Sequence, residues 1–258
     1  MKLIKWKAIY ILWIRDLKRV WRFKSELFGP VMTPLMFLVF LGFGLKGASL
    51  PGIPANVKYI DFIMAGVIGM TLLFNSMFGG MDILWDKEMG FMKEVMISPV
   101  PRIYIFIGRL AASSTISIIE SFIILLLSMI MGFKFPSFPS MMLVLVFMLL
   151  TSFTFIGLGM AVASRMKSLQ GFPIIMNFVI FPLFFLSGAF YPIGSLPKII
   201  RPLCYLDPLT YGVEGMRFAF IKISGLPVLL SFAVLLIVCT IVILIGSYLF
   251  ETSQDIGN

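Results

Sequence analysis

The sequence predicts an all-α polytopic membrane protein with six transmembrane helices. Of its 258 residues, 60% are hydrophobic and only 13% are charged, whereas soluble domains carry about 25% charged residues. The apolar residues are gathered into six stretches, each long enough to cross a bilayer core, which requires about 20 residues. These stretches cover residues 27–45, 62–81, 110–133, 141–163, 171–191 and 226–250. The longest connection, residues 192–225, is shorter than the roughly 40 residues that an unaided domain needs, so residues 1–258 are predicted to form a single transmembrane domain.

The segment before the first span, residues 1–26, contains eight lysine and arginine residues. Its apolar residues recur at helical spacing, and they are Trp6, Ile9, Tyr10, Trp13, Leu17, Val20 and Trp21. This pattern predicts an amphipathic helix that lies in the headgroup layer of the membrane. A basic anchor that serves only to orient the first span is the alternative. A cleaved signal peptide is not expected, because the basic part is too long.

The distribution of lysine and arginine predicts the orientation of the chain, because loops rich in these residues stay in the cytoplasm. The basic N-terminus is therefore expected inside, and six spans then place the C-terminus inside as well. In this arrangement the cytoplasmic segments carry twice as many cations as the outer ones. We expect a multi-pass protein of the cell membrane. The cations of the outer loop 192–225 run against the rule and indicate that this loop is folded.

Ionisable residues are scarce within the predicted spans. Glu120 in the third span is the one clear intramembrane acid, while Asp61 and Asp82 end the second span and Arg109 precedes the third. Glu120 and Arg109 lie on one helix face but about 16 Å apart. Two interpretations of Glu120 stay open: contact with a substrate, or a hydrogen bond to a serine or threonine of a neighbouring helix.

Two spans place an asparagine beside aromatic residues. A polar group among aromatics suits an amphipathic cargo, whereas helix packing and lipid contact are the alternative explanations. With Glu120 they form the predicted substrate pathway, which consists of Phe74, Asn75, Phe78, Glu120, Asn177 and Phe181.

Several kinds of chemistry are excluded by the residues that the sequence lacks. There is no histidine, and the two cysteines, Cys204 and Cys239, are far apart, so histidine bases and metal-ligand clusters are not expected. The dipeptide Gly-Lys of a P-loop does not occur either. We therefore expect no enzyme activity, no cofactor and no nucleic-acid partner for this chain, and ATP, if it is used, must bind to another chain.

The inner loop, residues 82–109, is expected to hold a short helix that ends at Pro99 and Pro101 and carries apolar residues on one side and charges on the other. Two blocks of the sequence, in this order, resemble ABC-2 type export permeases, the class that includes drug and polysaccharide exporters. The first is Glu88-x-Gly90-x-x-Lys93-Glu94-x-x-x-Ser98-Pro99-Val100-Pro101-Arg102, followed by Gly108-Arg109. The second is Leu186-Ser187-Gly188-Ala189-Phe190-Tyr191-Pro192, followed by Pro197 and by Asp207-Pro208-Leu209-Thr210-Tyr211.

The resemblance implies the membrane subunit of an ABC exporter. Such a subunit pairs with a second copy or with a similar permease, and a separate ATP-binding subunit supplies the site for ATP and Mg²⁺. The residues expected to couple to that subunit are Glu88, Gly90, Phe91, Lys93, Glu94, Ser98, Pro99 and Arg102. The residues expected to form an outer gate of re-entrant helices are Ser187, Gly188, Tyr191, Pro192, Asp207, Pro208 and Thr210.

Local sequence supports a helix in the second half of the outer loop. Asp207 is a good N-cap residue and Pro208 suits the first helical position. The apolar residues that follow at helical spacing are Leu209, Val213, Met216 and Phe220. They predict a helix that lies in the outer face of the membrane.

Two other classes of protein were considered. A secondary transporter or channel that does not use ATP would show more ionisable groups within its spans, or an inverted repeat. An intramembrane hydrolase would need a Ser-His pair, an Asp pair or the motif H-E-x-x-H. The sequence leaves the cargo open between drug, lipid and glycan, and the pairing open between homodimer and heterodimer.

Overall fold

The computed structural model describes residues 2–45, 57–90, 101–166 and 168–252. Within these ranges the regular structure is helical and contains no strand. The helices are α1 (Lys2–Arg22), α2 (Lys24–Gly44), α3 (Tyr59–Gly79), α4 (Met81–Glu88), α5 (Arg102–Ile130), α6 (Phe138–Arg165), α7 (Phe172–Leu186), α8 (Arg201–Leu206), α9 (Pro208–Ile221) and α10 (Val228–Thr252), with a 3₁₀ turn at Ile193–Ser195.

In the part of the chain that the structure describes, four helical runs are long and apolar enough to cross a membrane. They are Tyr59–Asp86, Arg102–Ile130, Phe138–Arg165 and Val228–Thr252. Two further helices, Phe28–Gly44 and Phe172–Leu186, are apolar but shorter. The chain is therefore an all-α, multi-pass membrane protein, and the number of six spans stays a prediction.

The helices at the inner loop extend beyond the apolar stretches that predicted them. α5 begins at Arg102, before the apolar stretch starts at residue 110, and α4 continues α3 as far as Glu88. A hydropathy criterion places the end of a span at the first charged residues. A helix can nevertheless continue past such a residue where its charge is paired, as that of Arg109 is by Asp86. The predicted loop 82–109 is therefore helical at both ends, and the part that was expected to form a separate helix falls largely on residues 91–100, outside the described residues.

α3 lies at the centre of the bundle, packed against α2, α5, α6 and α9, and most of its side chains are buried. Close approach to its neighbours depends on glycine. A Cβ on Gly66 would lie 2.2 Å from the carbonyl oxygen of Ala189, and one on Gly80 would lie 2.4 Å from the backbone of Gly159. Small residues of this kind let two helix backbones come into close contact. Such contacts matter in lipid, because hydrophobic burial contributes little to the association of helices there.

α1 packs across α5 rather than standing apart from the bundle. Leu12, Asp16 and Val20 form its buried side, while Trp6 and Trp21 are largely exposed. The predicted N-terminal helix is thus present, with Trp6 and Trp21 exposed, whereas Trp13 is partly buried against α5.

Contacts between distant residues define two ends of the bundle. At the first, named here the α1 end, Arg19 contacts Asp82 and Arg102 donates to the carbonyl oxygen of Glu251. At the second, named the opposite end, Tyr59 donates to the carbonyl oxygen of Phe190.

Candidate functional site

A cavity of about 330 Å³ lies between α1, α2, α3 and α5, with Asp82 of α4 at its edge. Its polar lining consists of Arg19, Thr33, Asn75, Asp82, Ser113, Ser117 and Glu120. Its apolar lining consists of Val20, Pro30, Pro34, Met70, Phe74, Phe78, Gly79 and Ile116. Pockets that bind small molecules combine apolar walls with a few polar groups in this way.

The deepest polar feature of the cavity is the contact between Asn75 and Glu120. The amide of Asn75 donates to a carboxylate oxygen of Glu120, and the side chain of Glu120 is 1% exposed. Glu120 therefore has a hydrogen-bond partner on the neighbouring helix, but the partner is an amide rather than the serine or threonine that was expected. The contact brings two predicted pathway residues together.

A seam of hydroxyl groups runs from the cavity into the bundle. Ser76 of α3 lies 3.4 Å from Ser117 of α5 and 3.4 Å from Ser152 of α6, measured between the hydroxyl oxygens. All three side chains are buried. The seam joins α3, α5 and α6 around a polar centre.

The other predicted pathway residues are divided between the cavity and the surface. Phe74 and Phe78 form part of its wall. Phe181 of α7 does not line the cavity but packs edge-on against Phe74, with ring centroids 5.6 Å apart. Asn177 lies on the exposed side of α7, so the structure brings four of the six residues to the cavity and leaves Asn177 outside it.

The α1 end of the bundle holds a network of ion pairs that the sequence did not predict, and two of its members, Arg19 and Asp82, line the cavity. Arg19 contacts Asp82 at 2.6 Å, Arg15 contacts Asp16 at 2.7 Å, and Arg109 contacts Asp86. The Arg19–Asp82 pair joins α1 to α4 across 63 positions and the Arg109–Asp86 pair joins α5 to α4, so no local pattern could have identified these two pairs. In addition, the indole of Trp13 donates to the hydroxyl of Thr115 at 3.1 Å.

The predicted coupling residues that the structure describes lie at the same end. Glu88 accepts a hydrogen bond from the backbone N–H of Leu169 at 3.0 Å, which joins the two inner loops. Gly90 has a positive φ of 76°, and Arg102 donates to the carbonyl oxygen of Glu251 at 2.5 Å. The remaining five, Phe91, Lys93, Glu94, Ser98 and Pro99, lie outside the described residues.

The first part of the predicted outer gate is a tight turn after α7. Ser187 donates to the carbonyl oxygen of Phe184 at 2.7 Å, and Tyr191 donates to that of Phe185. Gly188 has φ of 69°, a backbone conformation that favours glycine, and Pro192 leads into the 3₁₀ turn. The predicted span 171–191 therefore ends in a turn, because α7 stops at Leu186.

The second part of the gate is the start of α9. Asp207 caps the helix by accepting from the backbone N–H of Leu209 at 2.9 Å, and Pro208 occupies the first helical position, as the sequence indicates. Thr210 donates to the carbonyl oxygen of Cys204 at 2.6 Å. Burial raises the pKa of Asp207 to about 8, and the Leu209 N–H opposes this rise only in part.

The apolar stripe of α9 faces the protein, not the lipid of the outer membrane face. Leu209, Val213 and Met216 are fully buried, since α9 packs between α3 and α6. A Cβ on Gly215 would lie 2.2 Å from the ring of Phe147, so glycines on α9 permit this position. Apolar periodicity alone does not distinguish a lipid-facing stripe from one that packs on another helix.

α9 also holds a buried ion pair that sequence reasoning overlooked. Arg217 and Glu214 contact each other and are 1% and 2% exposed. Arg217 donates to the carbonyl oxygens of Gly188 at 2.8 Å and Ala189 at 3.3 Å, and its guanidinium lies 3.9 Å from the ring centre of Phe62. The spacing of the pair, three residues apart on one helix, was a signal that could have found it.

Comparison with known proteins gives consistent matches over most of the chain. The family model described as ABC-2 type transporter matches residues 7–221. The inner membrane transport permease YadH of Escherichia coli strain K12 is 28% identical over 235 residues, which are 90% of this chain and 90% of that protein. Nodulation protein J of Sinorhizobium fredii is 25% identical over 222 residues, 85% of this chain and 81% of that protein. The putative transport permease ycf38 of Pyropia yezoensis is 25% identical over 210 residues, 80% and 71% of the two chains.

Proposed function

This chain belongs to the ABC-2 type transporter family, and from this premise we propose that it forms the export pathway for an amphipathic substrate, driven by ATP hydrolysis in a separate subunit. Membership in the family makes the chain a membrane permease subunit of an ABC transporter and implies association with an ABC ATP-binding subunit. The catalytic ATPase site then lies outside this chain, and ATP and Mg²⁺ bind to the partner.

The observation that best supports an export pathway is the cavity between α2, α3 and α5. It has apolar walls and a polar centre at Asn75 and Glu120. A substrate with both apolar and polar parts matches such a lining. We propose that Phe74, Asn75, Phe78 and Glu120 contact the substrate, and that Phe181 supports the wall through Phe74.

The connection between this cavity and the proposed docking site is short. Asp82 lines the cavity, and the same helix, α4, ends at Glu88. Glu88 in turn contacts the loop before α7 through Leu169. A movement imposed on Glu88 by a docked ATP-binding subunit would therefore reach both the cavity and the following inner loop.

The assembly that we propose contains two permease subunits and two ATP-binding subunits in the cell membrane. The second permease is either another copy of this chain or a similar protein. Both termini of this chain lie in the cytoplasm, on the side of the ATP-binding subunits, because the basic α1 segment is retained there. The turn at Ser187–Pro192 and the start of α9 close the outer side of the pathway.

The docking proposal is tested with a bulky substitution at the α1 end. Gly90 has φ of 76° and open space around it, so Gly90→Trp strains the turn and obstructs the docking surface. We expect substrate-dependent ATP hydrolysis by the assembled transporter to be abolished while membrane insertion is retained. The matched control is Gly132→Trp, because Gly132 also has positive φ, 93°, and open space, but lies at the opposite end.

A second pair of variants tests the contact of Glu88. Glu88→Ala removes the carboxylate that accepts from Leu169, and we expect coupled ATP hydrolysis to be lost. Glu251→Ala removes an exposed acid at the same end and should leave coupling unchanged. Normal coupling in both Glu88→Ala and Gly90→Trp contradicts the docking assignment, as does equal loss in the two controls.

A further inference from the structure

We propose that the cavity binds an amphipathic organic cation that carries a single positive charge. The proposal rests on the proposed function in taking this cavity as the substrate pathway, and it adds the charge of the substrate. The cavity, its charged groups and its aromatic wall each support it.

Within the described residues, the acidic and basic groups that line the cavity leave one carboxyl group, that of Glu120, without a basic partner. Arg19 and Asp82 form an ion pair at 2.6 Å and neutralise each other. Glu120 remains, and within the described part of the chain no lysine or arginine lies within ion-pair distance of it. Its partner, the Asn75 amide, donates a hydrogen bond but brings no charge.

A buried carboxylate in this position is costly unless it is paired. The side chain of Glu120 is 1% exposed, and an unpaired charge in an apolar environment carries a large desolvation cost. A ligand with a positive charge supplies the missing counter-ion. A ligand with a negative charge would instead place two like charges together, which disfavours binding.

The wall on the α3 side suits the same ligand. Phe74 and Phe78 lie one helical turn apart on either side of Asn75 and face the cavity, and aromatic rings attract cations over their faces. Met70, Ile116, Pro30 and Pro34 provide the apolar surface for the body of the ligand. The volume of about 330 Å³ matches the lower end of the range for small-molecule pockets, so a compact ring-bearing cation fits better than a two-chain lipid.

The experiment compares two ions of similar size and shape and opposite charge. The purified chain, without an ATP-binding subunit, is placed in nanodiscs made of one neutral zwitterionic lipid, and saturable binding of radiolabelled tetraphenylphosphonium and of tetraphenylborate is measured. Empty nanodiscs give the partitioning into lipid, which is subtracted. We expect saturable binding of the phosphonium at one site per chain and none of the borate.

Variants identify the site of binding. Glu120→Gln keeps an oxygen that accepts from Asn75 but removes the charge, and we expect the affinity for the phosphonium to fall about tenfold or more, as for loss of a desolvated charge pair. Asp61→Asn is the matched control, since Asp61 is an acid of α3 that does not line the cavity, and its affinity should be unchanged. Phe78→Leu removes an aromatic face of the cavity wall and should lower the affinity for the phosphonium.

Three results would overturn the proposal: equal saturable binding of the two ions, unchanged affinity in Glu120→Gln, or equal losses in Glu120→Gln and Asp61→Asn. If Glu120→Gln fails to fold, Phe78→Leu still tests the proposal, because unchanged affinity in this variant also contradicts it. No nucleotide is present in this assay, so its result is independent of the coupling test. Equal binding of the two ions, together with the expected loss of coupled ATP hydrolysis in Glu88→Ala and Gly90→Trp, refutes only the charge of the substrate. Selective cation binding, together with normal coupling in both variants, refutes the proposed function instead.

Discussion

The two ends of the molecule hold their buried charges in different ways. At the α1 end, charged side chains of α1, α4 and α5 pair with one another across helices. At the opposite end, Glu214 and Arg217 pair within α9, and Arg217 also binds two backbone carbonyls of the turn after α7. The first arrangement joins separate helices through side chains alone, while the second fixes one helix to a backbone turn.

The exposure of the charged groups shows what this difference means for motion. The side chains of Arg19 and Asp82 are 33% and 28% exposed, whereas those of Arg217 and Glu214 are each 2% exposed. A partly solvated pair can separate at small cost because water replaces the partner. A fully buried pair cannot, because separation leaves a desolvated charge. At the α1 end the Arg19–Asp82 pair is therefore the contact that can rearrange, whereas Arg109 and Asp86, 4% and 17% exposed, hold α5 to α4. At the opposite end the buried pair of α9 stays fixed.

The largest effect is expected from Arg217→Ala. The substitution leaves Glu214 charged and buried and removes the donors to Gly188 and Ala189, so we expect a loss of about 3–5 kcal/mol in stability. The measurement is the thermal unfolding of the detergent-solubilised protein. Lys198→Ala, at an exposed position of the same loop, is the control and should behave as wild type. A similar small change in both variants would remove the contrast between the two ends.

Gly66→Ala tests the same fixed end through packing. The new Cβ would lie 2.2 Å from the carbonyl oxygen of Ala189, so α3 and the turn must separate, and we expect a loss of about 1–3 kcal/mol. Gly29→Ala in α2 is the matched control, because no atom lies within 4 Å of its Cβ and alanine favours a helix by about 0.5–1 kcal/mol. The two unfolding temperatures should move in opposite directions, and a shift of the same sign would contradict the close packing of Gly66.

Arg19→Ala tests the end that can rearrange. Because the pair with Asp82 is partly solvated, we expect a loss of only about 0.5–1 kcal/mol in stability, smaller still at high salt. The effect should appear instead as easier proteolysis after α1, compared between low and high salt. A loss as large as that of Arg217→Ala would show that the α1 end is as fixed as the other.

The smallest effect is expected from Asp207→Asn near pH 4. The pKa of Asp207 is raised to about 8, so the folded state holds a proton that the unfolded state has lost, and wild-type stability should fall as pH rises from about 4 to 8. Asparagine is neutral and also caps helices well, so the variant should match wild type near pH 4 and lack this part of the pH dependence. It should become the more stable form as pH rises towards 8 and remain so at pH 9. Parallel unfolding curves for the two proteins at all pH values would contradict a neutral Asp207.

The sequence alone was sufficient for the positions and the class of most elements. Apolar stretches located the helices, and Asp207 with Pro208 marked the start of α9. The order of two blocks, from Glu88 to Arg109 and from Leu186 to Tyr211, identified the family that the comparisons show. These features are local, because the length of an apolar stretch, the helical period and a cap depend on residues close together in the chain.

The partners of the buried polar groups were decided only by the tertiary structure. Arg19 pairs with Asp82 across 63 positions and Asn75 with Glu120 across 45, and the sequence contains many other acids and bases that could have paired. The direction in which α9 turns its apolar stripe was equally undetermined. Such choices depend on which helix surfaces meet, and close approaches such as that of Gly66 to Ala189 fix those surfaces only once the whole bundle has packed.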